Sequence, residues 1–206
     1  MSFIKSTPES DRFLELLARR TKSNFVRKDV DDQIWSEFGT QFAIMFTDLT
    51  GFSRRVEKFG ILHFLQTIIE NLRISRPIIK SFNGQILKTD GDSMLVVFED
   101  VKAAIGCAIL MQRETYKVNL TLPDEEKVLL CIGIGFGLVL KIGEDDVFGS
   151  EVNAASKLGE DIAKSYNILL TDNVMKALGT DLNVVPIREV PPGAEGAFKL
   201  VYDPSC

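Results

Sequence analysis

Apolar residues along this chain fall into two rhythms. Between Ile61 and Ser81, the residues Ile61, Phe64, Leu65, Ile68, Ile69, Leu72, Ile74 and Ile78 recur three and four positions apart, the stripe of an amphipathic helix. Val101 to Tyr116 and Glu151 to Lys164 predict further helices, Ser53 to Phe59 and a stretch from Asp172 shorter ones. Pro77 is expected to bend the long helix. Phe42-Ala43-Ile44-Met45-Phe46 is instead an unbroken apolar run ending at Asp48, which predicts a buried strand. Gln85 to Thr89 and Ser93 to Phe98 are short apolar runs joined across Asp90-Gly91, a strong hairpin signal. Leu129 to Phe136, Leu138 to Ile142, Ile168 to Leu170, Val184 to Arg188 and Phe198 to Tyr202 complete the predicted strands.

Upstream, Ser6-Thr7-Pro8-Glu9 is a helix start, a hydroxyl cap followed by proline in the first turn. Phe13, Leu14, Leu16 and Leu17 give that helix one apolar face, and Asp31 to Phe38 predicts another. The basic stretch Arg19 to Lys28 between them is read as a solvated connector. The expected organisation is a short N-terminal helical extension, 1–39, and one domain, 40–206. From Gln41 the order β-α-α-β-β-α-β-β-α-β implies an α+β fold. Its expected form is a ferredoxin-like βαββαβ core with additional strands, an antiparallel sheet with helices on one face.

Composition narrows the function classes. With 206 residues and 45% hydrophobic content, the chain can bury one sizeable core. A net charge of −5 lacks the basic footprint of a nucleic-acid binder, so no nucleic-acid partner is expected. Cys107, Cys131 and Cys206 have neither disulfide nor metal-ligand spacing, which favours a reducing compartment. The longest greasy stretch, Val128 to Leu140, falls short of the ~20 residues a membrane span needs. No apolar signal core precedes Lys22, and the expectation is a cytoplasmic protein without a membrane span.

Two acids carry the candidate chemistry. Asp48 ends the first strand of the core and Asp92 opens the third. In a βαββαβ core these strands are antiparallel neighbours, so the two carboxylates should meet at one sheet edge. There they would repel unless a cation lay between them. Two divalent ions about 4 Å apart are the standard device for phosphoryl or nucleotidyl transfer, and magnesium suits all-oxygen ligands. Aspartates near turns also have a purely local explanation, hydrogen bonding to their own backbone. The loop Leu49-Thr50-Gly51-Phe52-Ser53 runs straight into a helix whose free amides would face a polyphosphate, with Gly51 allowing close approach. An ordinary strand-to-helix turn capped by Ser53 is the alternative.

Three blocks resemble a known family. Phe46-Thr47-Asp48-Leu49-Thr50-Gly51-Phe52-Ser53 is similar to the first metal motif of class III adenylate and guanylate cyclases. Leu87-Lys88-Thr89-Asp90-Gly91-Asp92-Ser93 resembles the second, and Asp146-Val147-Phe148-Gly149-Ser150-Glu151-Val152-Asn153-Ala154-Ala155-Ser156-Lys157 the third, in the family's order. The resemblance implies the nucleotide cyclase fold, with Asp48, Asp92 and the Leu49 carbonyl holding two Mg2+ or Mn2+ ions per site. Thr50, Gly51, Phe52 and Ser53 would line the triphosphate. Lys88 and Asp146 match the pair that reads the adenine edge, where guanylate enzymes place Glu and Cys, so ATP is the favoured nucleoside triphosphate. Asn153 matches the residue that orients the ribose. Lys157 stands where an arginine usually stabilises the transferring phosphate. The family's site is shared between two subunits, which implies a homodimer.

Some positions depart from the family pattern. Lysine at 157 lacks the planar fork of arginine. The segment from Gly137 to Asp146, a partner-crossing hairpin in the family, is short, and Asp145 is the fallback for Asp146. The usual Arg-x-Gly-x-His is Cys131-Ile132-Gly133-Ile134-Gly135 here, and only Lys199 stands near the family's C-terminal lysine. Gly133, Gly135 and Gly137 precede no helix and form no dinucleotide fingerprint. Cyclisation of GTP or a pyrimidine triphosphate, and a silent nucleotide-binding module, remain the alternatives to cyclic AMP synthesis.

Overall fold

The computed structural model describes residues 7–22, 26–144, 146–179 and 182–206, the side chains of 52–55 excepted. Thr7 caps α1 (Pro8–Arg20): its hydroxyl accepts from the Ser10 N–H at 3.1 Å, and the Ser10 hydroxyl accepts from the Thr7 N–H at 2.8 Å. α2 (Arg27–Phe38) starts earlier than predicted, taking in Arg27 and Lys28. Phe13 and Leu16 of α1 close a small core with Val30, Ile34 and Phe38 of α2. Leu14 and Leu17 stay outside it. This helical hairpin rests on Leu140 and Ile142 of the main sheet.

The chain then forms β1 (Gly39–Leu49), α3 (Phe52–Phe59), α4 (Ile61–Ser81), β2 (Gln85–Asp90), β3 (Ser93–Phe98) and α5 (Val101–Asn119). It continues as β4 (Leu130–Ile142), β5 (Asp146–Phe148), α6 (Ser150–Ser156), a π-helical segment (Lys157–Ile162), β6 (Ile168–Thr171), α7 (Asp172–Leu178), β7 (Val184–Pro186) and β8 (Ala197–Leu200). Among the described residues the sheet has the order β2-β3-β1-β4-β6-β8-β7, with β5 paired to β4. β1 is antiparallel to both β3 and β4, as a βαββαβ core requires. β6 joins β4 in parallel, so the sheet is mixed rather than wholly antiparallel. Among the described residues no helix is long and apolar enough to cross a membrane.

Strand alternation sorts the residues onto two faces. Ala43, Met45 and Leu49 of β1, with Met94, Val96 and Phe98 of β3 and Leu130, Ile132 and Ile134 of β4, pack on Phe64, Ile78, Met111 and Val174 of α4, α5 and α7. Each such fully buried side chain contributes about 1.5–3 kcal/mol. The intervening residues Ile44, Leu95, Val97 and Val139 form a second cluster with Val147 of β5 and Ala155 of α6. Helices therefore cover both faces, and the expectation of helices on one face is corrected.

Three element boundaries also differ from expectation. The two strands predicted at 129–136 and 138–142 are one continuous strand, β4, because Gly137 pairs in register with Phe42 instead of breaking the chain. The helix predicted over 151–164 is α-helical only to Ser156 and then widens to a π-helix. Asp146–Phe148, for which the sequence predicted no element, is a short strand folded back on β4 with Ile142 opposite Asp146. Pro77 is accommodated within α4, which runs unbroken to Ser81.

Candidate active site

The second face of the sheet holds a cleft of about 270 Å³ lined by Phe46, Lys88, Asp90, Ser93, Leu95, Asp146 and Glu160. Strand register builds its acidic end. Thr47 lies opposite Met94, so Asp48 comes to rest beside Ser93 and the turn residue Asp92. The Ser93 hydroxyl donates to Asp48 Oδ1 at 3.1 Å. Burial pushes the Asp48 carboxyl up to about 6, the negative charge of Asp92 adds to it, and Glu160 adds a smaller push. Hydrogen bonds from Ser93 and the Leu49 backbone act the other way. The Asp92 carboxyl is raised as well, by burial first and then by the charge of Glu160.

The Leu49 N–H hydrogen-bonds to this pair, and the two repelling carboxylates themselves offer only oxygen donors, which fits a hard divalent cation. Among the described residues no three His, Cys, Asp or Glu side chains gather into a ready-made cluster. An ion held by Asp48 and Asp92 would complete its shell with substrate and water oxygens.

Lys88 reaches the cleft through an irregularity. Leu87 already packs on the second face. A register shift between Ile86 and Lys88 breaks the alternation and sets Lys88 opposite Leu95 on the same side. Asp146 reaches the cleft from β5, after a tight turn through Gly143 with φ of 64°. The shortened segment thus closes as a compact hairpin. Asp145 lies outside the described residues.

The loop after β1 is tied down from below. Thr50 Oγ1 lies 2.9 Å from Cys131 Sγ and accepts from the Ser165 hydroxyl at 3.2 Å, so its side chain is engaged with the protein. Gly51 caps α3 with φ of 87°, a conformation that favours glycine. Phe52 and Ser53 form the first turn of α3, and their side chains lie outside the described residues. Asn153 and Lys157 are exposed on α6 and at the start of the π-helix, outside the lining of the cleft. Lys157 Nζ makes an ion pair with Asp161 at 2.6 Å, both side chains 55% exposed, and this contact raises the lysine pKa.

Sequence reasoning missed Ser93 and Glu160. Glu160 accepts from the Ser156 hydroxyl at 2.7 Å and lies 3.5 Å from Ser93 Oγ, which joins it to the Asp48–Asp92 pair. The Ser156–Glu160 spacing was visible in the chain. The π-helical winding that sets the direction of Glu160 was not, since it depends on the packing of Gly159 against the Phe46 carbonyl and Gly133.

The adenylate and guanylate cyclase catalytic domain family matches residues 36–195, and the chain belongs to it. Its members are enzymes of the lyase class. A putative adenylate cyclase 3 of Rhizobium meliloti (strain 1021) is 26% identical over 132 residues, covering 64% of this chain and 22% of the relative. The chain therefore spans about a fifth of that protein's length. Among solved structures, an adenylate/guanylate cyclase/hydrolase from Silicibacter pomeroyi superposes with a TM-score of 0.68 at 25% identity, over 80% of this chain and 98% of the other. The guanylyl cyclase Cya2 shares the fold at 20% identity, with a TM-score of 0.66 over 79% of this chain and 92% of the other.

Proposed function

We propose that the chain converts ATP to 3′,5′-cyclic AMP and pyrophosphate, at a site shared by two copies of itself. The observation that carries this reading is the meeting of Asp48 and Asp92 across Ser93, beside a cleft lined by Lys88 and Asp146. Two Mg2+ or Mn2+ ions bound there would lower the pKa of the ribose 3′-hydroxyl and neutralise charge on the leaving pyrophosphate. Asp48, Asp92 and the Leu49 carbonyl would hold those ions, and the backbone of Thr50 to Ser53 would lie along the phosphates. Lys88 donates to adenine N1, and Asp146 accepts from the exocyclic amine. Asn153 and Lys157 are exposed and do not line their own cleft, which suits residues that complete a partner's site. Asn153 then orients the ribose, and the Lys157 ammonium leaves Asp161 for the transferring phosphate.

Asp90 and Glu160 favour a second reading, in which guanine is bound. Both carboxylates line the same cleft and accept hydrogen bonds, which suits the N1–H and amino group of guanine. One assay separates the two. Purified protein is incubated with each of the four ribonucleoside triphosphates and Mn2+, and the products are identified by mass. Cyclic AMP from ATP alone supports the first reading. Another cyclic nucleotide overturns the adenine assignment of Lys88 and Asp146, and no product from any triphosphate overturns cyclase activity. Mixing inactive Asp48→Ala with inactive Asn153→Ala should restore turnover. Two dimeric variants that fail to complement would refute the shared site.

A further inference from the structure

Glu151 is the unexplained charge of the fold. It is 2% exposed, inside a protein whose other carboxylates mostly face water. Three donors converge on it from three elements. Glu151 Oε2 accepts from the Phe136 N–H of β4 at 3.0 Å and from the Thr171 hydroxyl at the end of β6 at 2.7 Å. Oε1 accepts from Asn173 Nδ2 of α7 at 2.7 Å. The pairing of β4 with β6 ends at Ile134 opposite Leu170, two residues short of Phe136. Glu151 supplies the acceptor that a longer β6 would have offered.

The glycine row in β4 makes room for this carboxylate. A Cβ at Gly135 would sit 2.8 Å from Glu151 Oε2, and one at Gly137 would sit 2.9 Å from Glu151 Cγ. Further along, a Cβ at Gly133 would run into the Ala155 carbonyl. The helix α6 is therefore seated directly on bare backbone, and its first turn is pinned by a buried carboxylate with donors on both of its oxygens. Burying a carboxylate is costly unless its hydrogen bonds are complete, so any rotation or lift of α6 is strongly opposed.

We infer that Glu151 is a positioning residue of the catalytic machinery: it sets the height and rotation of α6, and through it the aim of Asn153 and Lys157. This rests on the proposed cyclase reading for the roles of those two residues. Misplacing a group that orients substrate by about 1 Å can cost about 100-fold in rate. Glu151→Gln should keep much of the arrangement, because the Asn173 amide can turn to accept from the new side-chain amide. Glu151→Ala leaves the Phe136 N–H and the Thr171 hydroxyl without their acceptor.

The test combines kinetics, complementation and hydrogen exchange on the full chain. At a temperature well below its melting point, Glu151→Ala should lose at least about tenfold in kcat with little change in KM for ATP, and Glu151→Gln should recover most of the loss. A 1:1 mixture of Glu151→Ala with Asp48→Ala should regain about a quarter of wild-type activity, since half the dimers then carry one intact site of two. Backbone amides of 150–162 should exchange faster in Glu151→Ala, with β1 and β3 unchanged. A folded Glu151→Ala with wild-type kcat, a loss that mixing does not rescue, or unchanged exchange over 150–162 would each overturn the inference. If Glu151→Ala fails to fold, Asn173→Ala and Thr171→Val each remove one donor, and the same readouts decide. If the wild type makes no cyclic nucleotide, the functional reading falls, and hydrogen exchange alone decides whether Glu151 holds α6.

Discussion

Replacing Asp48 with asparagine should make the metal-free protein more stable while destroying its activity. The Asp48 carboxyl is pushed from the usual 3.8 up to about 6, chiefly by burial and by the charge of Asp92. Ionising it inside the fold at neutral pH therefore costs roughly 3 kcal/mol before solvent screening. Partial solvent screening reduces this to about 2 kcal/mol. The sign follows from the raised value. The favourable contribution of the protonated form is complete below the unfolded pKa and is lost as pH rises through about 6. Asparagine keeps the shape and an acceptor for Ser93, without the charge. In chelator at pH 7.5, thermal unfolding should place Asp48→Asn about 4–8 °C above wild type, with the gap closing toward pH 4.5. Added Mn2+ should stabilise wild type and leave the variant unmoved, reversing their order. A variant no more stable than wild type in chelator, or a gap independent of pH, would refute the picture of two carboxylates forced together for a cation.

Three further outcomes are expected. Gly133→Ala should destabilise the fold by about 1–3 kcal/mol in denaturant titration, because the new methyl meets the Ala155 carbonyl and the side chain of Leu158. Lys157→Ala should lower kcat by about 100-fold or more, whereas Lys157→Arg should match or exceed wild type in steady-state cyclase assays. Lys88→Glu combined with Asp146→Cys should shift kcat/KM from ATP toward GTP; retention of ATP preference would show that neither residue reads the base.

The fold was legible where local pattern and tertiary demand agree. The long stripe of α4 and the Asp90-Gly91 hairpin predicted their elements because each is set by its own residues. The meeting of Asp48 with Asp92 followed from topology, since antiparallel neighbours bring a strand end to a strand start. What was not legible depends on distant neighbours. Gly137 looked like a break because its reason, the side chain of Glu151, comes much later in the chain. The π-helix at 157–162 and the aim of Glu160 depend on Gly159 fitting against Gly133. Glu151 itself looked like an ordinary first-turn acid; nothing local announced that Thr171 and Asn173 would close over it.

The unbroken course of β4 has a mechanical consequence. Its 13 residues extend about 43 Å as a single extended rod. One end, at Leu140 and Ile142, carries the helical hairpin formed by α1 and α2. The other end, at Cys131, is hydrogen-bonded to Thr50 and lies in register with Asp48. The seat of α6 lies between them. Pairing with β1 from Leu130 to Leu140 and with β5 beyond it supports the strand along its course. Helices α1 and α2 thus sit on one end of a single strand whose other end lies opposite Asp48, so the helical hairpin and the acidic pair share one continuous backbone element.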